Sequence, residues 1–136
     1  MTQPPLKKAD GAARRLLICD DEPRICNVLT QYFTLKGYEV RSVNRGEEAL
    51  ALLDVFQPNV VLLDLLMPGM TGVDTLKNLK QRQPGIKVIM LSAADHQDVA
   101  QGAIQLGADS YMCKPASLPQ LEHLVNGFWP ADTPRR

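Results

Sequence analysis

The stretch LICDDEPRICNVL, residues 17–29, runs apolar for three residues, meets the acids Asp20, Asp21 and Glu22, and then takes up a helical period at Ile25 and Leu29. Two unit charges about 4 Å apart repel by roughly 4 kcal/mol at an effective dielectric near 20. A strand that ends on adjacent carboxylates therefore needs something positive at its tip. Taken alone, DDEP also reads as a helix start, with an acid as N-cap and Pro23 near the first helical position. The rest of the chain decides between the two.

Working outward, apolar runs alternate with helix-period segments five times. RLLICD (15–20), VVLLD (60–64) and VIMLS (88–92) are continuous apolar runs, the pattern of strands buried on both faces. YEVRSV (38–43) alternates and DSYMC (109–113) is short, giving two weaker strands. Between and after them, Ile25, Leu29 and Phe33 form one helical stripe, Ala49, Leu53 and Phe56 another, and Leu121, Leu124, Val125 and Phe128 a last one. Gly37, Pro58, Pro84 and Gly107 close helical segments, while Thr71 and Asp95 stand where N-caps belong. Strands alternating with helices over short loops imply right-handed crossovers and a parallel sheet covered on both sides. The predicted fold is a doubly wound α/β domain over residues 14–128, with tails at 1–13 and 129–136.

In such sheets ligands bind beyond the carboxyl ends of the strands, near the point where strand order reverses. Asp20, Asp21, Asp64 and Ser92 end the three buried strands, and Lys114 follows the fifth. Three carboxylates, a hydroxyl and an ammonium should converge there. One lysine cannot pair every carboxylate, and hard oxygen ligands of this kind suit a divalent cation such as magnesium beside a phosphoryl group. An aspartate held beside such a cation can attack phosphorus and carry it as an acyl phosphate. Asp64 is the one placed to attack: it ends the central strand alone, before LLMPGMTG (65–72), a loop able to aim backbone amides at an anion. Lys114 precedes Pro115, a position compatible with either peptide isomer.

DDEP, DLLMPGMTG, LSAAD and GADSYMCKPASLPQL, in that order, resemble the acidic pair, phosphoacceptor loop, hydroxyl position and switch-aromatic-to-lysine segment of receiver domains of bacterial two-component response regulators. The resemblance covers about residues 14–128. It implies a five-stranded flavodoxin-like fold and a chain that takes a phosphoryl group on Asp64 from a sensor histidine kinase or a histidine phosphotransfer protein. It further implies Mg2+ or Mn2+ held by Asp21, Asp64 and the carbonyl of Leu66, with Asp20 acting through water. Lys114 and Ser92 would grip the phosphoryl oxygens, and Tyr111 would be the switch aromatic. The signal would leave through the surface of the fourth helix, fifth strand and fifth helix. Such a chain catalyses its own phosphorylation and dephosphorylation without turning over an external substrate. Leu66 and Ala94 flank the path of a hydrolytic water, and neither can hydrogen-bond it, so the phosphorylated state should decay slowly.

Three alternatives are weighed against this. Haloacid-dehalogenase phosphatases also form an aspartyl phosphate, but they need a second aspartate two residues after the nucleophile, where Leu66 stands. A flavodoxin-type flavin carrier would need glycine and hydroxyl donors where CDDEPR stands. A pseudo-receiver that binds partners without phosphorylation would not be expected to keep the full acidic, hydroxyl and lysine set.

The 136 residues carry 15 basic and 15 acidic side chains, so no bulk charge draws the chain to nucleic acid or membrane. Cys19, Cys26 and Cys113 fit no metal spacing and read as small hydrophobes in a reducing cytosol. The first fifteen residues lack the apolar core of a signal peptide, so a cytoplasmic protein is expected. His96 and His123 read as solvated or partly packed, Met67 and Met70 as loop packing, and Trp129 as a packing cap on the last helix.

Overall fold

The computed structural model describes residues 14–67, 69–93 and 97–129; Asp95, His96 and Ala94 lie outside them. Five strands and five helices alternate: β1 (Arg15–Cys19), α1 (Pro23–Leu35), β2 (Glu39–Val43), α2 (Gly46–Phe56), β3 (Val60–Asp64), α3 (Gly72–Arg82), β4 (Lys87–Ser92), α4 (Gln97–Gln105), β5 (Ser110–Cys113) and α5 (Leu118–Asn126). The sheet is parallel throughout in the order β2-β1-β3-β4-β5. The chain thus adopts the doubly wound, flavodoxin-like arrangement expected from sequence. β1 pairs with β2 on one side and β3 on the other, so strand order reverses between β1 and β3.

Alternate residues of each central strand feed two separate cores. Leu17, Cys19, Val61, Leu63, Val88 and Met90 pack with Leu53, Leu76, Leu79 and Ala103 from α2, α3 and α4. Leu16, Ile18, Val60, Leu62, Ile89 and Leu91 pack with Cys26, Leu29, Phe33, Leu121 and Val125 from α1 and α5. Two covered faces leave no polar side for these strands, hence their unbroken apolar runs. Each fully buried Leu or Ile contributes roughly 1.5–3 kcal/mol of transfer free energy.

Local signals fix where the elements stop. Thr71 caps α3, its hydroxyl accepting from Asp74 N at 3.2 Å, and Ser117 caps α5 through Gln120 N at 3.4 Å. At α1, Glu22 occupies the N-cap position but its side chain caps nothing, and Pro23 stands at the first helical turn. The acid is thus free for a different task. Trp129 packs edge-on against Tyr38, ring centroids 5.5 Å apart, with the Arg14 guanidinium 5.0 Å from its ring, consistent with a packing role. His123 is exposed in the last turn of α5. Met67 is buried, its sulfur 3.6 Å from Cys19 Sγ.

Candidate functional site

The carboxyl ends of β1, β3, β4 and β5 bring Asp20, Asp21, Asp64, Ser92 and Lys114 together, as their strand-end positions demand. Asp21, Asp64, Ser92 and Lys114 line, with Glu22, Leu65, Leu66 and Ala93, a cleft of about 270 Å3, while Asp20 is fully buried. Carboxylate oxygens of Asp20, Asp21 and Asp64 all fall within 4.8 Å of one another. Asp20 is fully buried and Asp64 nearly so, while Asp21 is exposed.

One ammonium faces this group. Lys114 Nζ lies 2.9 Å from Asp20 Oδ2, 3.2 Å from Asp64 Oδ1 and 3.7 Å from Glu22 Oε1. Its backbone N donates to Ser92 O at 2.7 Å, tying the start of the β5–α5 loop to the end of β4, and the Lys114–Pro115 bond is cis. Burial by itself would lower the lysine's pKa, but Asp20 and Asp64 outweigh it and hold the ammonium charged. Asp64 moves the other way. Burial and then the neighbouring Asp20 charge push its carboxyl up to about 6, despite Lys114.

The site is short of positive charge and of donors. Ser92 Oγ is buried without a hydrogen-bond partner among the described residues, and Asp20 Oδ2 faces the Lys114 ammonium at 2.9 Å. Buried polar atoms are seldom left so. Oxygen-only donors, excess negative charge and an idle hydroxyl fit a hard divalent cation together with an oxyanion.

The backbone around Asp64 is closely fitted. Leu65 N donates to Leu91 O and Gly72 N to Leu65 O, both at 2.9 Å. A Cβ at Gly72 would stand 2.3 Å from Asp64 O and 2.6 Å from Leu65 O, so the first turn of α3 can approach the strand end only as glycine. Leu66, next on the rim, is 51% exposed.

Tyr111 does not line the cleft. It lies opposite Met90 in the β4–β5 register, half-buried against the core covered by α2, α3 and α4. Two groups that the sequence reading left without a site role also reach the acidic loop. Glu22 faces Lys114 as described, and Asn44, just beyond β2, donates its Nδ2 to Asp20 O at 3.1 Å. Cys26, read as a plain small hydrophobe, is buried but also directs its Sγ at Asp20 O, 3.3 Å away. Cys113 is only half-buried.

An all-parallel five-stranded sheet with an acidic cluster at its switch point defines a class of flavodoxin-like α/β domains. Within that class the chain belongs to the response regulator receiver domain family, whose model matches residues 16–126. It is 32% identical over 125 residues to the transcriptional regulatory protein TrcR of Mycobacterium tuberculosis, covering 92% of this chain and 49% of that one. It is 36% identical over 114 residues to the regulatory protein AtoC of Escherichia coli, covering 84% and 25%. Sporulation initiation phosphotransferase F of Bacillus subtilis is 32% identical over 116 residues, covering 85% of this chain and 94% of that relative. The chain spans half or less of the length of TrcR, of AtoC and of the alkaline phosphatase synthesis transcriptional regulatory protein PhoP of Bacillus subtilis. Among solved structures, the Francisella response regulator 1452 receiver domain superposes with a TM-score of 0.78 at 30% identity, over 85% of this chain and 95% of that one. The chain is a receiver domain of two-component signalling, and the phosphatase alternative gains no support from these matches. Among the described residues no helix is long and apolar enough to cross a membrane.

Proposed function

We propose that Asp64 accepts a phosphoryl group from the phosphohistidine of a sensor histidine kinase or a histidine phosphotransfer protein, and that the chain passes the resulting change to an output partner. The reading is carried by one observation: three carboxylates lie within 4.8 Å of one another, the Lys114 ammonium pairs with two of them, Asp20 and Asp64, and the buried Ser92 hydroxyl beside them has no hydrogen-bond partner among the described residues. An Asp64 oxygen attacks phosphorus, the P–N bond breaks, and its electron pair stays on the donor imidazole, which takes up a proton from solvent. Lys114, 3.2 Å from Asp64 Oδ1, and Ser92, at the end of β4, receive the phosphoryl oxygens. Backbone amides near Leu65 and Ala93 assist.

Asp20, Asp21, Asp64 and the carbonyl of Leu66 would hold Mg2+ or Mn2+, which when bound supplies the charge that offsets the crowded carboxylates and the phosphoryl oxygens. Ser92 turning to the phosphoryl group leaves room for Tyr111 to move inward, so the α4–β5–α5 surface reports the modified state. The chain works in the cytoplasm, where the kinases of such systems present their phosphohistidines, and contacts neither nucleic acid nor membrane directly.

The test is intact-mass measurement after incubation with acetyl phosphate. The wild-type chain should gain one phosphoryl group in Mg2+ and none in chelator, while Asp64→Asn should gain none in either. Equal labelling of the two chains, or labelling indifferent to chelator, would overturn the assignment.

A further inference from the structure

The acidic loop is gripped from an element that contributes no carboxylate of its own. Both main-chain groups of Asp20 are tied to the end of β2: its N donates to Val43 O at 3.1 Å and its O accepts from Asn44 Nδ2 at 3.1 Å. Cys26 Sγ, on α1, approaches the same carbonyl at 3.3 Å and lies 3.8 Å from Asn44 Nδ2. Asn44 is itself fixed, since its backbone N donates to Glu48 Oε1 at 3.1 Å in the first turn of α2. On the side-chain side, Asp20 Oδ1 accepts from Glu22 N at 2.9 Å, leaving Oδ2 towards Lys114. The Asp20 main chain and carboxylate are thus held from both sides, and among the described residues Asn44 is the side chain from the end of β2 that bonds the Asp20 carbonyl.

We infer that Asn44, with Cys26 as its auxiliary, is a positioning residue for the cation site, setting the affinity for Mg2+ by holding the Asp20 main chain in register with Asp64. This rests on the functional reading above. Asn44 touches neither phosphoryl group nor cation, so its effect reaches chemistry only through where Asp20 and Asp21 stand. A group that orients a metal ligand from behind changes affinity without changing the ligand count. Removing the amide leaves Asp20 O with a thiol, a weak donor.

The experiment titrates Mg2+ alone into the full chain, followed by calorimetry, for wild type, Asn44→Ala, Asn44→Ala with Cys26→Ala, and Asp21→Asn. Asn44→Ala should raise Kd for Mg2+ by about threefold to tenfold, the range of one neutral hydrogen bond felt through a ligand's position. The double variant should raise it further. The labelling rate from acetyl phosphate at saturating Mg2+ should match wild type, so that the defect lies in the Mg2+ concentration required and not in the maximal rate. Thermal unfolding in chelator serves as the control for folding. Unchanged Kd in a folded Asn44→Ala chain, or a loss of maximal rate that excess Mg2+ does not restore, would overturn the clamp alone. Wild-type Mg2+ binding that Asp21→Asn leaves intact would overturn the functional reading and the clamp with it.

Discussion

At the amino end of the sheet Asp109 accepts from Val88 N and from Lys80 Nζ, each at 2.9 Å, with Lys87 Nζ 3.7 Å away; at the carboxyl end Asp20 and Asp64 share Lys114 with Glu22, and an Asp21 oxygen crowds within 4.8 Å of theirs. Asn59 completes the first picture, its Oδ1 accepting from Arg15 N at 2.7 Å. Around Asp109 and Asn59 polar groups are spent on one another. At the carboxyl end they outnumber their partners, and Ser92 has none among the described residues. The same residue types thus serve architecture at one end and are left in excess of their partners at the other. The difference lies in whether the fold itself closes the hydrogen bonds.

The largest effect that could break this contrast is one of sign. Asp109→Ala should destabilise the chain by about 2–3 kcal/mol in urea unfolding, because it strips the buried Val88 N of its acceptor and two lysines of their counter-charge. Asp64→Asn, measured in chelator at neutral pH, should instead stabilise it by about 2 kcal/mol, by relieving a carboxylate held against burial and Asp20. If both substitutions destabilise alike, the two ends do not differ in kind.

The pH dependence sharpens the same point. A carboxyl raised from 3.8 to about 6 binds its proton in the fold more tightly than in the unfolded chain. Its contribution to stability is therefore full below about pH 4 and is lost as pH rises through about 6. The stability gap between Asp64→Asn and wild type should open over that window in chelator and shrink when Mg2+ is added. A gap that stays constant from pH 4 to pH 7 would remove Asp64 as its source.

The strands β1, β3 and β4 were legible because two covered faces leave an unbroken apolar signature, whereas β2 and β5 lie at the sheet edges, where Arg41 and Ser42 are exposed and every β5 residue is half-buried. The convergence of Asp20, Asp21, Asp64, Ser92 and Lys114 was legible for a topological reason: parallel strands deliver their last residues to one edge, so position along the chain implies position in space. Asn44 was not legible. It too follows a strand, but it acts on a main-chain carbonyl, and acceptors common to every residue leave no pattern in side-chain identity. Glu22, one of three successive acids in the sequence, takes the N-cap position of α1 without a side-chain cap and turns its carboxylate to Lys114, a distant partner that the local sequence does not reveal.

The smallest expected effect concerns the rim. Leu66, half-exposed beside Asp64, offers no hydrogen bond to a water approaching phosphorus. Leu66→Asn should speed loss of the phosphoryl group after donor removal by up to about tenfold, equivalent to about 1.4 kcal/mol of barrier. The decay is followed by intact mass in excess Mg2+. Decay no faster in the variant would show that a polar rim does not suffice to steer the water.

The glycine contact at the start of α3 has a mechanical meaning. With Gly72 N bonded to Leu65 O and no room for even a methyl group against Asp64 O, strand end and helix start behave as a single rigid piece. A force applied at Asp64 finds an anvil on that side. Across the cleft the Ser92 hydroxyl has no hydrogen bond among the described residues to hold it. A displacement that begins at Asp64 is then expected to run from the end of β3 towards β4 and β5. A probe or cross-link placed on α3 should register almost nothing of it.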